Sequence, residues 1–154
     1  TIAGLTRGGY YLVRVTARAA GFARERQTIF AMSPKTAAFV GAPRAHIEGA
    51  AGSYSALVID ANVNAVRAGA FALSATVRDT RGQIIVSLTA PLTLTAGAQT
   101  ASLAIPGRDI RARGIDGPYT IDLILMDAAW TAVQVDESPN ALTTDAYRAS
   151  DFSR

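Results

Sequence analysis

Apolar and polar residues alternate with a period of two along most of this chain. Three stretches carry the pattern most plainly, and each opens with a glycine, one intervening residue and an aromatic. They are Gly9-Tyr10-Tyr11 before Val13, Val15 and Ala17; Gly69-Ala70-Phe71 before Leu73, Ala75 and Val77; and Gly117-Pro118-Tyr119 before Ile121, Leu123 and Leu125. Successive side chains of a strand point to opposite faces, so this period behind a turn residue predicts half-buried antiparallel strands.

The same pattern organises the rest. Residues 10–18 and 26–32 read as two strands around Gly21, an antiparallel hairpin with a long loop. Ser33-Pro34-Lys35-Thr36 reads as a junction, because Pro34 cannot donate to a ladder and holds Ser33 extended. Residues 37–48 form one strand broken near Pro43, and 54–66 alternate with Leu57, Ile59, Ala61, Val63 and Ala65 on one face. After strand 70–79, Asp79-Thr80-Arg81-Gly82 makes a hairpin turn. Residues 83–95 hold a strand or a pair interrupted at Pro91, and 98–105 hold another. The segment 106–114 is the one expected helix, opened by Pro106 and closed by Gly114. Strands at 118–127 and 130–135 follow, and 136–154 read as polar and irregular.

Short strands joined by short turns, without helical crossovers, predict an all-β fold: an antiparallel Ig-like or fibronectin III-like β-sandwich with one short helix. Residues 34–154 form the sandwich. Residues 1–33 form a β-hairpin that either extends one sheet or ends a preceding Ig-like module, since a lone hairpin cannot cover its apolar face. A weak repeat over sixty residues, from Arg7-x-Gly9-x-Tyr11 to Arg67-x-Gly69-x-Phe71, fits two tandem units or one strand type used twice.

Composition narrows the chemistry. Nearly half of the 154 residues are apolar, enough to build a core without staples. Cysteine is absent, which removes disulfides, thiol catalysis and thiolate metal sites. The net charge of +3 comes from fourteen Arg and one Lys against nine Asp and three Glu, spread along the chain and giving no footprint for nucleic acid. No run of 18 apolar residues is present, so membrane insertion is not expected. The chain begins at Thr1, with no Met and no visible signal peptide, and the simplest expectation is a piece of a longer precursor.

The Gly-x-aromatic openings resemble the late strands of bacterial immunoglobulin-like and fibronectin III-like modules, where the aromatic anchors a strand near a corner. Ile115-Asp116-Gly117-Pro118-Tyr119-Thr120, with Thr143-Thr144-Asp145-Ala146-Tyr147 and Asp151-Phe152, resembles a module near the C-termini of secreted bacterial proteins. Those proteins include von Willebrand factor A-type and subtilisin-like architectures, and the likeness spans roughly residues 50–154. It implies an extracellular or cell-surface accessory module with no active-site residues. The von Willebrand domain itself is not implied, because no Asp-x-Ser-x-Ser motif is present.

Candidate chemistry is sparse. His46 is the one histidine and no Gly-x-Ser-x-Gly elbow accompanies it, so a surface or structural role is expected over a triad. Thr1 as an N-terminal nucleophile lacks the layered αββα pattern such enzymes need. Calcium is the most defensible ligand, with Asp79, Asp109 and Asp116 in turns or beside the helix as metal candidates. Asp60, Asn62 and Asn64 share one strand face, which reads more simply as solvated sheet. Trp130, Tyr119 and Tyr147 could form a sugar-stacking platform. Arg108, Arg111 and Arg113 form the densest basic cluster, expected to be solvated or paired within the chain. The expected function is a non-catalytic spacer or protein-interaction module, with a calcium- or carbohydrate-binding module as the alternative. The expected partners are other domains of the parent chain or a partner protein, or another copy through an exposed edge strand.

Overall fold

The computed structural model describes residues 9–32, 34–130 and 133–153, without the side chain of Trp130. Thr1, Arg7 and Ser33 lie outside the described residues, and with them the readings placed on them. The chain divides into two compact units, Thr1–Pro34 and Lys35–Arg154.

The first unit is a hairpin of β1 (Gly9–Ala19) and β2 (Phe22–Met32), paired throughout from Gly9 opposite Met32 to Ala19 opposite Phe22. The expected long loop is replaced by a two-residue turn at Ala20 and Gly21. Gly21 takes a φ of 72°, which lets the strands run on to Ala19 and Phe22. Apart from Phe22, residues 19–25 are weak strand formers, and cross-strand pairing overrides that weakness. Tyr11 stacks on Phe30 with ring centroids 5.6 Å apart.

The second unit is an antiparallel β-sandwich. One sheet is ordered β10 (Val133–Thr143), β9 (Thr120–Asp127), β6 (Gly69–Arg78), β7 (Ile84–Leu94). The other is centred on β5 (Ser53–Ala65), with β8 (Gly97–Pro106) along one side. β3 (Ala37–Phe39) and β4 (Arg44–Ala50) share its other side as one strand broken at residues 40–43. The period of two delivers the core. Leu57, Ile59, Ala61 and Val63 of β5 meet Phe71, Leu73, Ala75 and Val77 of β6, Ile121, Leu123 and Leu125 of β9, and Tyr119 just before β9, all buried. Each large aliphatic in such a row contributes roughly 1.5–3 kcal/mol by leaving water.

Two readings of the strands need correction. Residues 84–94 are one strand that runs through Pro91, which lies opposite Ala72. That is tolerated because β7 is an edge strand, where a missing N–H on the open side breaks no ladder bond. Residues 136–143 are also not irregular, since β10 continues to Thr143. Its register shifts between Gln134 and Asp136 and again between Ser138 and Leu142, with Asn140 at φ 49°, and those bulges hide the alternation.

Short polar and helical devices close the open sides. Helix α1 (Gly107–Arg113) joins the two sheets, buries Ile110 and ends on Gly114 in the left-handed region at φ 63°. Asp136 accepts a bond from the Phe39 backbone N–H at 2.8 Å and pairs with Lys35 at 3.3 Å, tying β10 to the β3 edge. Buried Asp127 accepts from Arg67 at 2.6 Å, from the Thr36 hydroxyl at 2.8 Å and from the Ala129 N–H at 3.0 Å. After β10 the chain folds back: Phe152 is buried and bridges to Tyr54, where β5 begins.

Candidate functional site

The polar side chains that come closest to a site lie on the outer face of β4, β5 and β8. The pairing sets Arg44, Asp60 and Ser102 side by side across three strands, and Asn62 beside Thr100. Asp60 accepts from the Ser102 hydroxyl at 2.5 Å through Oδ1 and faces His46 Nδ1 at 3.3 Å through Oδ2. Thr100 donates to Asn62 Oδ1 at 3.1 Å. Arg44, Asp60, Asn62 and Thr100 line a shallow depression of about 340 Å³.

A nucleophilic relay places histidine between the acid and the hydroxyl, so that the imidazole can take the hydroxyl proton. Here the carboxylate sits in the middle and binds both partners, so His46 has no line to Ser102. The side chains are 51% and 31% exposed for His46 and Asp60, so nothing excludes water or strengthens the field. The arrangement can hydrogen-bond to a solute, and it lacks the acid–histidine–hydroxyl order of a nucleophilic relay. The His46–Asp60 contact was not legible in the sequence, because it follows from the β4–β5 register.

The structure scatters the three carboxylates singled out for calcium. Asp79 Oδ1 accepts from the Arg81 and Gln83 N–H groups, each at 2.8 Å, and Oδ2 faces Arg81 Nε at 3.3 Å. The Gln83 N–H, foremost among these donors, lowers the Asp79 pKa from the ordinary carboxylate value. Asp109 lies in the first turn of α1, 3.7 Å from Arg108. Asp116 Oδ1 accepts from the Ala149 N–H at 2.8 Å. Among the described residues, no three or more His, Asp or Glu side chains come together as a metal site.

The aromatics form no open platform among the described side chains. Tyr119 is fully buried and donates its hydroxyl to the Ile115 carbonyl at 2.8 Å. Burial, with a smaller push from the Asp116 charge, raises its pKa to about 12. Tyr147 packs edge-on against Tyr54 at 6.5 Å and Phe152 at 6.2 Å, and burial raises its pKa too. The Trp130 side chain lies outside the described residues. Of the basic cluster, Arg111 donates to the Ser150 and Phe152 carbonyls and Arg113 to the Ile85 carbonyl, so both pin α1 to its surroundings.

Comparison with known proteins supplies the fold and no family. No family model matches the chain, and no curated protein matches it. Among solved structures, a DUF4785 family protein from Legionella pneumophila aligns over 90% of this chain at 13% identity and a TM-score of 0.57. A calcium-binding mutant of β-glucuronidase 2 from Bacteroides uniformis aligns over 73% at 15% identity and a TM-score of 0.52. A β-D-mannosidase from Dictyoglomus thermophilum aligns over 81% at 10% identity and a TM-score of 0.46. The chain spans 36%, 14% and 14% of those proteins respectively. At these identities the likeness concerns the β-sandwich alone. Among the described residues, no helix is long and apolar enough to cross a membrane.

Proposed function

We propose that the chain is a non-catalytic accessory module of a larger exported bacterial protein, acting as a stiff spacer that presents or docks neighbouring domains. The observation that carries this reading is the placement of the two ends of the sandwich unit. Ala37 pairs with Ala65 and Phe152 bridges to Tyr54, so the first strand of the sandwich lies beside one end of β5 and Phe152 beside the other. Eleven residues of strand at about 3.3 Å each separate these points by roughly 36 Å. A module built this way carries load along its strands and holds its neighbours apart.

The Tyr119–Ile115 bond, placed where a sandwich strand turns its corner, supports an Ig-like or fibronectin III-like module. The pattern from Ile115 to Tyr119 and from Thr143 to Phe152 supports a setting among von Willebrand factor A-type or subtilisin-like exported proteins.

Single-molecule extension between residues 35 and 153 tests the spacer. A single cooperative event releasing about 35–40 nm of chain is expected, from an extended length of roughly 3.3–3.6 Å per residue. Extension without a force peak overturns it. Aryl β-glucuronide, β-galactoside and β-mannoside are expected to stay intact with the purified chain. Turnover that disappears in Asp60→Asn would make the protein an enzyme and end this reading.

A further inference from the structure

The hairpin of the first unit resembles the terminal hairpin of the sandwich in the character of its side-chain rows. In β9–β10, the inner row is Tyr119 just before β9, then Ile121, Leu123 and Leu125, opened by Gly117. Opposite it, β10 sets Leu142 near the open end, then Ser138 and Asp136 toward the turn. In β1–β2, the corresponding row of β1 is Tyr11, Val13, Val15 and Ala17, opened by Gly9. Opposite it, β2 sets Phe30 near the open end, then Thr28, Arg26 and Arg24 toward the turn. In both hairpins one row is wholly apolar and the other grades from apolar to polar.

The difference lies in what covers them. The row formed by Tyr119 and β9 is buried to within 1%, whereas in the β1 row Tyr11 and Val13 are half-buried and Val15 is 60% exposed. The back of the hairpin is apolar at its open end as well, with Leu12 54% and Ile29 67% exposed. Singly exposed apolar residues need no explanation, but a two-stranded ribbon with apolar side chains on both faces cannot cover either by itself, and another element must do so.

We infer that β1–β2 is the closing hairpin of a second β-sandwich, whose remaining strands lie earlier in the same gene product and lay an apolar sheet face over Val13, Val15 and Ala17. This rests on the accessory-module reading and names the partner that module docks. Two observations favour such a neighbour over a second copy of the chain. Residues 9–32 hold four Arg against the single Glu25, so two copies of the hairpin repel. Residues 35–154 are only 120 of the 154, about 78%, so the 90% match to the Legionella protein reaches into the hairpin. That match takes up 36% of its chain, so the aligned part lies within a longer polypeptide.

Hydrogen exchange on the complete gene product, beside residues 1–154 alone, tests this. Amides of residues 11–17 are expected to exchange at least roughly 100-fold more slowly in the complete product. Val15→Asp in the complete product is expected to abolish that gain and leave protection of β5, β6 and β9 unchanged. Equal exchange in the two proteins, or a gene product with no strands ahead of residue 1, overturns the inference. So does slow exchange in residues 1–154 alone that rises with concentration alongside a doubled mass, which would identify a second copy as the cover. Glycoside turnover by the purified chain would end the accessory reading without altering hairpin protection, so the two failures are distinguishable.

Discussion

The Tyr119 hydroxyl donates to the carbonyl of Ile115, four residues earlier, at 2.8 Å inside a fully buried site. The bond ties the chain leaving α1 to the first residues of β9. The Tyr119 N–H in turn donates to Thr144 Oγ1 at 3.0 Å, so one residue holds the corner and the start of the C-terminal segment together.

Tyr119→Phe keeps the ring and leaves the Ile115 carbonyl without its donor. A loss of about 1–2 kcal/mol is expected, seen in calorimetry as a fall in Tm of roughly 3–6 °C. The native chain should also lose stability at alkaline pH. The folded phenol ionises near pH 12 against an ordinary 10, so the stabilisation is whole below pH 10 and declines between 10 and 12. Tyr119→Phe should flatten that decline. An alkaline limb identical to that of the unsubstituted protein would refute the assignment.

Gly107→Ala opposes two effects of different size. Alanine favours a helix by about 1 kcal/mol over glycine. A Cβ at this position, however, collides with the Tyr54 carbonyl oxygen and comes within 3.0 Å of the Ser55 carbonyl oxygen and 3.2 Å of the Phe152 ring. Backbone oxygens cannot step aside as a side-chain tip can, so a net loss of about 1–3 kcal/mol is expected in urea unfolding. Phe152→Ala should cost about 3–5 kcal/mol at the same junction. Because the two residues touch, the double variant should fall short of the sum.

Acid sensitivity should map to Asp122. Its Oδ2 accepts from Arg78 Nε at 2.7 Å and its Oδ1 from the Asn140 N–H at 2.9 Å. The Arg78 bond, then the Asn140 bond, hold its pKa below the ordinary carboxylate value. A depressed folded pKa stabilises above the unfolded value and is lost as pH falls through the folded one. Asp122→Asn should therefore cost under about 1 kcal/mol at pH 7, given the partial exposure of the pair. It should also make the loss of stability below roughly pH 4 less steep. An unchanged acid limb would assign the effect to Asp79 instead.

Much of this fold was legible in the alternation of residues. The rows of β5, β6 and β9 came through because each side chain on the inner face meets core, leaving the period of two intact. What escaped was set by tertiary pairing. The bulges around Asn140 break the period of β10, and the edge position of β7 excuses Pro91. Gly107 looks like an ordinary helix opening until the β5 backbone is seen against it. The His46–Asp60–Ser102 contact joins residues from three strands, so only the register could reveal it. Its place in a turn had made Asp79 a calcium candidate, but its carboxylate accepts from the Arg81 and Gln83 N–H groups of that turn.

The buried ring of Phe152 has a consequence for synthesis. All eight strands of the sandwich leave the ribosome before this residue does, and until it arrives the floor beneath Tyr54 and Gly107 stays open to water. A nascent chain halted before Phe152 would be a wet, half-sealed shell. Completion would come as a late snap driven by residues 149–152.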